Sequence, residues 1–243
     1  MSNVLLSVAS LGKRFGGFVA LSEVNLEVMK GERLGLIGPN GSGKSTFVDC
    51  LCGALRNEAG EIIFGGQKLN GMPAYQRTRL GIARSFQLPR PFSTLTLAEN
   101  VSVPILYAAN AKGAPLTTDV RRRSEALLDL VGLLSRADSK PADLTQIEMR
   151  KLELARAMAS GPRLLIADEV MAGLSHHEVN DILALLIKIN AQGVTIIMIE
   201  HIMRAVLAFS ERLVVLVAGR KIADGPPEDV IRQSDVVAAY LGG

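Results

Sequence analysis

Residues 33–52 read Arg33-Leu34-Gly35-Leu36-Ile37, then Gly38-Pro39-Asn40-Gly41-Ser42-Gly43-Lys44-Ser45, then Thr46-Phe47-Val48-Asp49-Cys50-Leu51-Cys52. The first run is the pattern of a strand buried on both faces, and the last reads as a helix. The segment between them fits the phosphate-loop pattern in its strand-loop-helix setting. Glycines suit such a loop because successive backbone N–H groups must converge on phosphate oxygens where side chains have little room, and the helix N-terminus adds partial positive charge. Lys44 is then placed to neutralise the β- and γ-phosphates. Ser45 offers a hydroxyl to Mg²⁺, a hard cation that takes few protein ligands. Residues Gly38 to Ser45, with Thr46, form the expected triphosphate site, and a plain glycine turn is the bland alternative.

Outward from this loop, apolar runs at 5–9, 21–28, 62–64, 82–86, 164–167, 194–199 and 213–217 read as further strands. Helical segments at 175–192 and 201–209 separate some of them, which is the alternation of a parallel sheet covered on both faces, an α/β fold. From about 88 to 160 strand signals stop and helix starts appear. Thr96 with Glu99 and Thr145 with Glu148 spell capping boxes, and Thr118 precedes an arginine-rich helix. Pro89, Pro91, Pro104, Pro115 and Pro141 punctuate this stretch, so its connections are expected to be loops.

The 243 residues exceed a peptide scaffold, and 48% hydrophobic with 21% charged residues exclude a disordered or low-complexity chain. A net charge of +3, dispersed along the chain, argues against nucleic acid as the main partner. Cys50 and Cys52 lie in the apolar helix, fit no disulfide framework or zinc spacing, and read as core residues. No basic residue precedes the short apolar run after Met1, so no secretory signal is expected. No apolar stretch reaches the roughly 18 residues that a membrane span requires.

The strand at 164–167 ends in Asp168-Glu169. Carboxylates at the C-terminal edge of a parallel strand are costly without a task, and that edge is where α/β sheets bind ligands. Asp168 is expected to serve Mg²⁺, and Glu169 to polarise a water for in-line attack on the γ-phosphate; a solvated strand-end loop is the alternative. His201 follows the next such strand and can donate to the γ-phosphate or to that water. Gln87, at the end of the strand at 82–86, can bridge Mg²⁺ or the water. Phe15, before Gly16-Gly17, reads equally as an adenine-stacking platform or as core. His176 and His177, in a first turn capped by Ser175 and Glu178, read as exposed.

Taken together, the phosphate loop, Gln87, Asp168-Glu169, Ala172-Gly173-Leu174-Ser175 and His201 resemble the nucleotide-binding subunit of an ABC transporter. Lys13-Arg14-Phe15-Gly16-Gly17, Ala83-Arg84-Ser85-Phe86-Gln87, Ile199-Glu200-His201 and Ala239-Tyr240-Leu241-Gly242 make it most similar to the branched-chain amino acid importers. The resemblance implies one domain: a P-loop NTPase (RecA-like) core, residues 1–87 and 161–243, with an N-terminal antiparallel β subdomain and an inserted α-helical subdomain, 88–160. It implies ATP and Mg²⁺ as ligands. Its implied partners are a second ATP-binding subunit (another chain or a second copy), two transmembrane permease subunits and, indirectly, a solute-binding protein. The implied location is the cytoplasmic side of the inner membrane.

The resemblance also implies that a signature segment acts on the partner's ATP. The family reads Leu-Ser-Gly-Gly-Gln there, whereas this chain reads Leu144-Thr145-Gln146-Ile147-Glu148. Both glycines are replaced and Glu148 adds a negative charge, which the capping box with Thr145 can fold back onto its own helix. The departure predicts slower hydrolysis at the completed site and a different partner with an intact signature. A regulatory subunit that binds without turnover, and a soluble ABC-type ATPase outside transport, are the competing readings.

Overall fold

The computed structural model describes residues 3–85, 90–111 and 119–241. The chain opens with β1 (Val4–Phe15) and β2 (Phe18–Met29), turned at Gly16-Gly17, then runs through β3 (Arg33–Ile37) into helix α1 (Lys44–Cys52). Next come β4 (Ala59–Phe64), β5 (Gln67–Lys68), α2 (Ala74–Leu80) and β6 (Ile82–Ser85). Helices α3 (Leu97–Ala111), α4 (Val120–Leu130) and α5 (Gln146–Met158) follow, with 3₁₀ turns at Leu134–Arg136 and Pro141–Asp143. The chain finishes with β7 (Leu164–Asp168), α6 (His176–Asn190), β8 (Thr195–Ile199), α7 (Met203–Phe209), β9 (Arg212–Val217), β10 (Arg220–Gly225), α8 (Pro227–Val230) and α9 (Ser234–Leu241).

The main sheet has the order β10-β9-β3-β8-β7-β6, parallel except for β10. β3 therefore lies between β8 and β9, and the loops after β3, β7 and β8 leave from one edge. A second, antiparallel sheet has the order β2-β1-β4-β5. Period-two alternation gives the main sheet two apolar faces. Leu164, Ile166, Ile197 and Ile199 pack with Phe47 and Leu51 of α1 and with Ile62 and Phe64 of the antiparallel sheet. Leu165, Ala167, Ile196 and Met198 pack on the other side with Ile182 and Leu186 of α6, and with Leu97 and Leu152 of the helical segment. The helical segment thus shares a core with the sheet.

Local sequence sets the helix starts. Thr96 and Glu99, Thr145 and Glu148, and Ser175 and Glu178 each exchange backbone N–H bonds as capping boxes, at α3, α5 and α6. Pro104 departs from expectation, because it lies inside α3 and not in a loop. Burial of Leu97, Ala98, Val101 and Ile105 on one face outweighs the roughly 3 kcal/mol that an interior proline costs. The strand at 82–86 is described only to Ser85, and β1 and β2 extend well beyond their apolar cores. The sequence reading missed β5, β10, α2, α8 and α9. These are short or charged, and α2 is a polar helix anchored by Arg77, whose guanidinium is buried on the carbonyls of Cys50, Leu51, Leu69 and Met72. Cys50 is buried and Cys52 half-buried.

Candidate active site

The loop leaving β3 is shaped by close approach. A Cβ at Gly38 would lie 2.1 Å from Leu216 O of β9, so any side chain there would push the loop off the sheet. Gly43 takes the left-handed conformation, φ 102°, and opens α1 with no side-chain cap, which leaves the first-turn N–H groups to a ligand. Lys44 is folded into the cradle: Nζ donates to Gly38 O at 2.6 Å and Pro39 O at 3.0 Å, and sits 3.5 Å from Ser42 Oγ. Burial lowers its pKa, and the nearby Glu169 and Asp168 charges oppose that shift. The ammonium thus holds the position that an anion would share.

Asn40 to Thr46 line a cavity of about 240 Å³ together with Phe18, Ala20, Glu169, Ile199 and His201. Glu169 and His201 stand at its rim, His201 Nε2 lying 3.0 Å from Glu169 Oε1. Glu169 has φ 49°, a left-handed conformation that costs a non-glycine residue about 1 kcal/mol or more. Its N–H donates to Ile199 O at 2.9 Å, which helps hold the backbone in place. Asp168 ends β7 with its Oδ2 gripped by Arg84 through Nε at 3.1 Å and Nη2 at 2.6 Å, and Arg84 Nη1 reaches Asp49 of α1 at 2.6 Å. One guanidinium therefore ties β6, β7 and the phosphate-loop helix together. Ser45 and Asp168 also line a larger groove of about 940 Å³ toward the helical segment.

Glu200 emerges as a structural part of the site. It is 3% exposed, and its Oε1 accepts the Met171 N–H at 2.8 Å. Burial pushes its pKa up to about 7; the Glu169 charge adds to the rise, while the N–H groups of Met171 and His201 and the Arg150 charge oppose it. The loop after Glu169 is thus stapled to the end of β8 by a backbone and a side-chain acceptor.

Not every expected residue gathers here. Gln87 lies outside the described residues. Phe15 is 47% exposed, which disfavours the core reading, and the Lys13 ammonium lies 5.2 Å from its ring centre. Phe18, its cross-strand partner, is the aromatic that lines the cavity. The residue directly after the Gly16-Gly17 turn could have suggested it. His176 and His177 are exposed. Thr145, Gln146, Ile147 and Glu148 stand apart from the cavity, on the first turn of α5. Glu148 accepts from Thr145 N–H at 2.8 Å and pairs with Arg136 at 3.0 Å, and Ile147 packs on the core shared with the helical segment. The added charge is therefore folded onto its own subunit.

Comparison with known proteins gives consistent likenesses. The family model described as ABC transporter matches residues 21–172, and that of the branched-chain amino acid ATP-binding cassette transporter matches residues 220–243. The chain is 39% identical over 253 residues to the high-affinity branched-chain amino acid transport ATP-binding protein LivG of Escherichia coli (strain K12), covering 100% of this chain and 99% of that protein. It is 37% identical to BraF of Pseudomonas aeruginosa, a protein of the same description, with the same coverage. Among solved structures, an ATP-binding cassette of an ABC transporter in its ADP conformation superposes with a TM-score of 0.90 at 28% identity, covering 100% of both chains. A dimeric ATP-binding cassette bound to ADP and Pi superposes at 0.81 with 27% identity, covering 92% of this chain and 99% of that one.

Proposed function

The chain belongs to the ABC transporter family as one of its ATP-binding ATPases, and we propose that it powers an importer of branched-chain amino acids or related small polar solutes. The observation that carries the catalytic reading is the 3.0 Å pair of Glu169 and His201 at the rim of the phosphate-loop cavity. The solute class is supported by the full-length likeness to LivG and BraF and by the match at 220–243.

In this reading, the N–H groups from Asn40 to Thr46 and the α1 N-terminus hold the β- and γ-phosphates. Lys44 Nζ moves from the Gly38 and Pro39 carbonyls onto phosphate oxygens. Glu169 takes a proton from the attacking water, the water oxygen bonds to the γ-phosphorus in line, and the bond to the bridging oxygen of ADP breaks, releasing inorganic phosphate. His201, which meets Glu169 Oε1 through Nε2, turns that nitrogen's N–H to the γ-phosphate once the nucleotide binds. Ser45 and Asp168, sharing one groove, present hard oxygen donors that fit a Mg²⁺ ion, with Gln87 as a further donor. When bound, that ion neutralises phosphate charge. Phe15 and Phe18 provide aromatic surface for adenine.

The α5 N-terminus, Thr145 to Glu148, serves the nucleotide of a second ATP-binding subunit. That subunit is a different chain with an unaltered signature, or a second copy of this one. Closure of the pair drives two permease subunits, served in turn by a solute-binding protein, with the ATPases on the cytoplasmic face of the membrane. Among the described residues no helix is long and apolar enough to cross a membrane. Proteoliposomes containing the permeases, both ATP-binding subunits and the solute-binding protein should take up leucine in an ATP-dependent way that excess isoleucine or valine competes away. Uptake of sugars in place of amino acids would refute the solute class.

A further inference from the structure

The first turn of α5 carries one side chain that reaches out of the helix to the loop behind Glu169. Gln146 Nε2 donates to Ala172 O at 3.3 Å, and Arg150 Nη2, one turn further along, donates to the same carbonyl at 3.2 Å. A Cβ on Gly173 would lie 2.5 Å from Gln146 Nε2, so the amide sits directly over the loop. The other face of that loop is held to the end of β8 by Glu169 N–H on Ile199 O and Met171 N–H on Glu200. Ala172 N–H in turn bonds Glu169 O at 3.2 Å, so the loop is a short turn in which a shift of Glu169 displaces Ala172. Ile147 and Glu148 point elsewhere, into the core and onto Thr145 and Arg136.

We infer that Gln146 is a positioning residue that couples the loop behind this subunit's own hydrolysis site to the α5 N-terminus it lends to the partner's nucleotide. The inference rests on the proposed function, which gives α5 that task. Arg150 is buried and anchors the body of α5, whereas Gln146 grips the loop at the exposed end whose N–H groups have no partner within the helix. A side chain in place of the family's glycine thus adds, beside the Arg150 bond, a link at the helix end itself between the site this subunit owns and the site it completes.

Hydrogen-deuterium exchange on the full chain, with and without Mg²⁺ and the non-hydrolysable β,γ-imido analogue of ATP, tests this. In the wild type the analogue should slow exchange at the phosphate loop, at 171–174 and at 149–152, the last by about fivefold, the worth of one hydrogen bond. Gln146→Glu keeps the length but loses the donor, and Gln146→Gly removes the side chain; measured against the phosphate-loop response of the same sample, both should shrink the response at 149–152 to the part that Arg150 carries through its own bond to Ala172 O. Gln146 is exposed and does not line the cavity of its own subunit, so both variants should fold, and the phosphate-loop protection in the same samples reads how much analogue each binds. An undiminished response at 149–152 in the variants, or none there in a wild type whose phosphate loop is protected, overturns the coupling. Absence of phosphate-loop protection in the wild type instead removes the ATP-binding reading, and the coupling with it.

Discussion

Replacing Glu200 by Gln should stabilise the protein at pH 8 and do little for it at pH 4.5. Glu200 is buried at the end of β8, and its carboxyl is raised by that burial from 4.5 to about 7. Between those values the folded chain holds a proton that the unfolded chain has released. Because the unfolded state binds fewer protons there, stability falls as pH rises through the window. At 1.36 kcal/mol per pH unit, the span from 4.5 to about 7 amounts to about 3 kcal/mol of stability lost by pH 8. Glutamine keeps an oxygen for the Met171 N–H at 2.8 Å and carries no charge to desolvate. It also removes repulsion from Glu169, at the expense of attraction to Arg150. Urea denaturation of both proteins from pH 4.5 to 8.5 would show two curves that diverge with pH, the variant gaining up to about 3 kcal/mol at the alkaline end. Parallel curves would mean that Glu200 is ionised throughout in the folded state, and the account of its burial would be wrong.

Glu169→Gln should lower the hydrolysis rate of the assembled pair by about 10²- to 10⁴-fold while Mg-ATP still binds; phosphate release and equilibrium binding measured on one preparation check both halves. Gly38→Ala forces a Cβ to 2.1 Å from Leu216 O, so ATP binding should be lost and thermal melting should show destabilisation of several kcal/mol, mainly from distortion beside β9. Thr145→Ala removes the α5 cap and should cost about 1 kcal/mol in urea denaturation, a loss that Thr145→Ser should not reproduce.

The phosphate loop, the carboxylates closing β7 and the capping boxes of α3, α5 and α6 were all legible in the chain. Each is a local arrangement: a glycine spacing, a strand run into its end, or a hydroxyl and a glutamate three residues apart on a forming helix. Pro104 misled because the local rule against an interior proline yields to burial of the apolar face of α3. β10 and α2 escaped because Arg220, Lys221, Asp224 and the arginines of α2 carry no apolar periodicity, and what fixes them are partners elsewhere. Arg77 binds carbonyls of α1, and β10 pairs with β9.

Tertiary structure alone decided how the site is wired. Arg84 holds Asp168 across 84 positions of sequence, Gln146 meets Ala172 across 26, and Glu200 stretches 29 back to Met171. Such contacts leave no periodic trace, since a hydrogen bond between distant segments depends on where the sheet order delivers them and on which groups burial strips of water. Sequence thus determined which residues stand in the loop after β3 and at the ends of β7 and β8. The packing of β6, β7, β8 and α5 determined which of them restrain one another, because only there do short distance and low dielectric make a charge or an amide consequential.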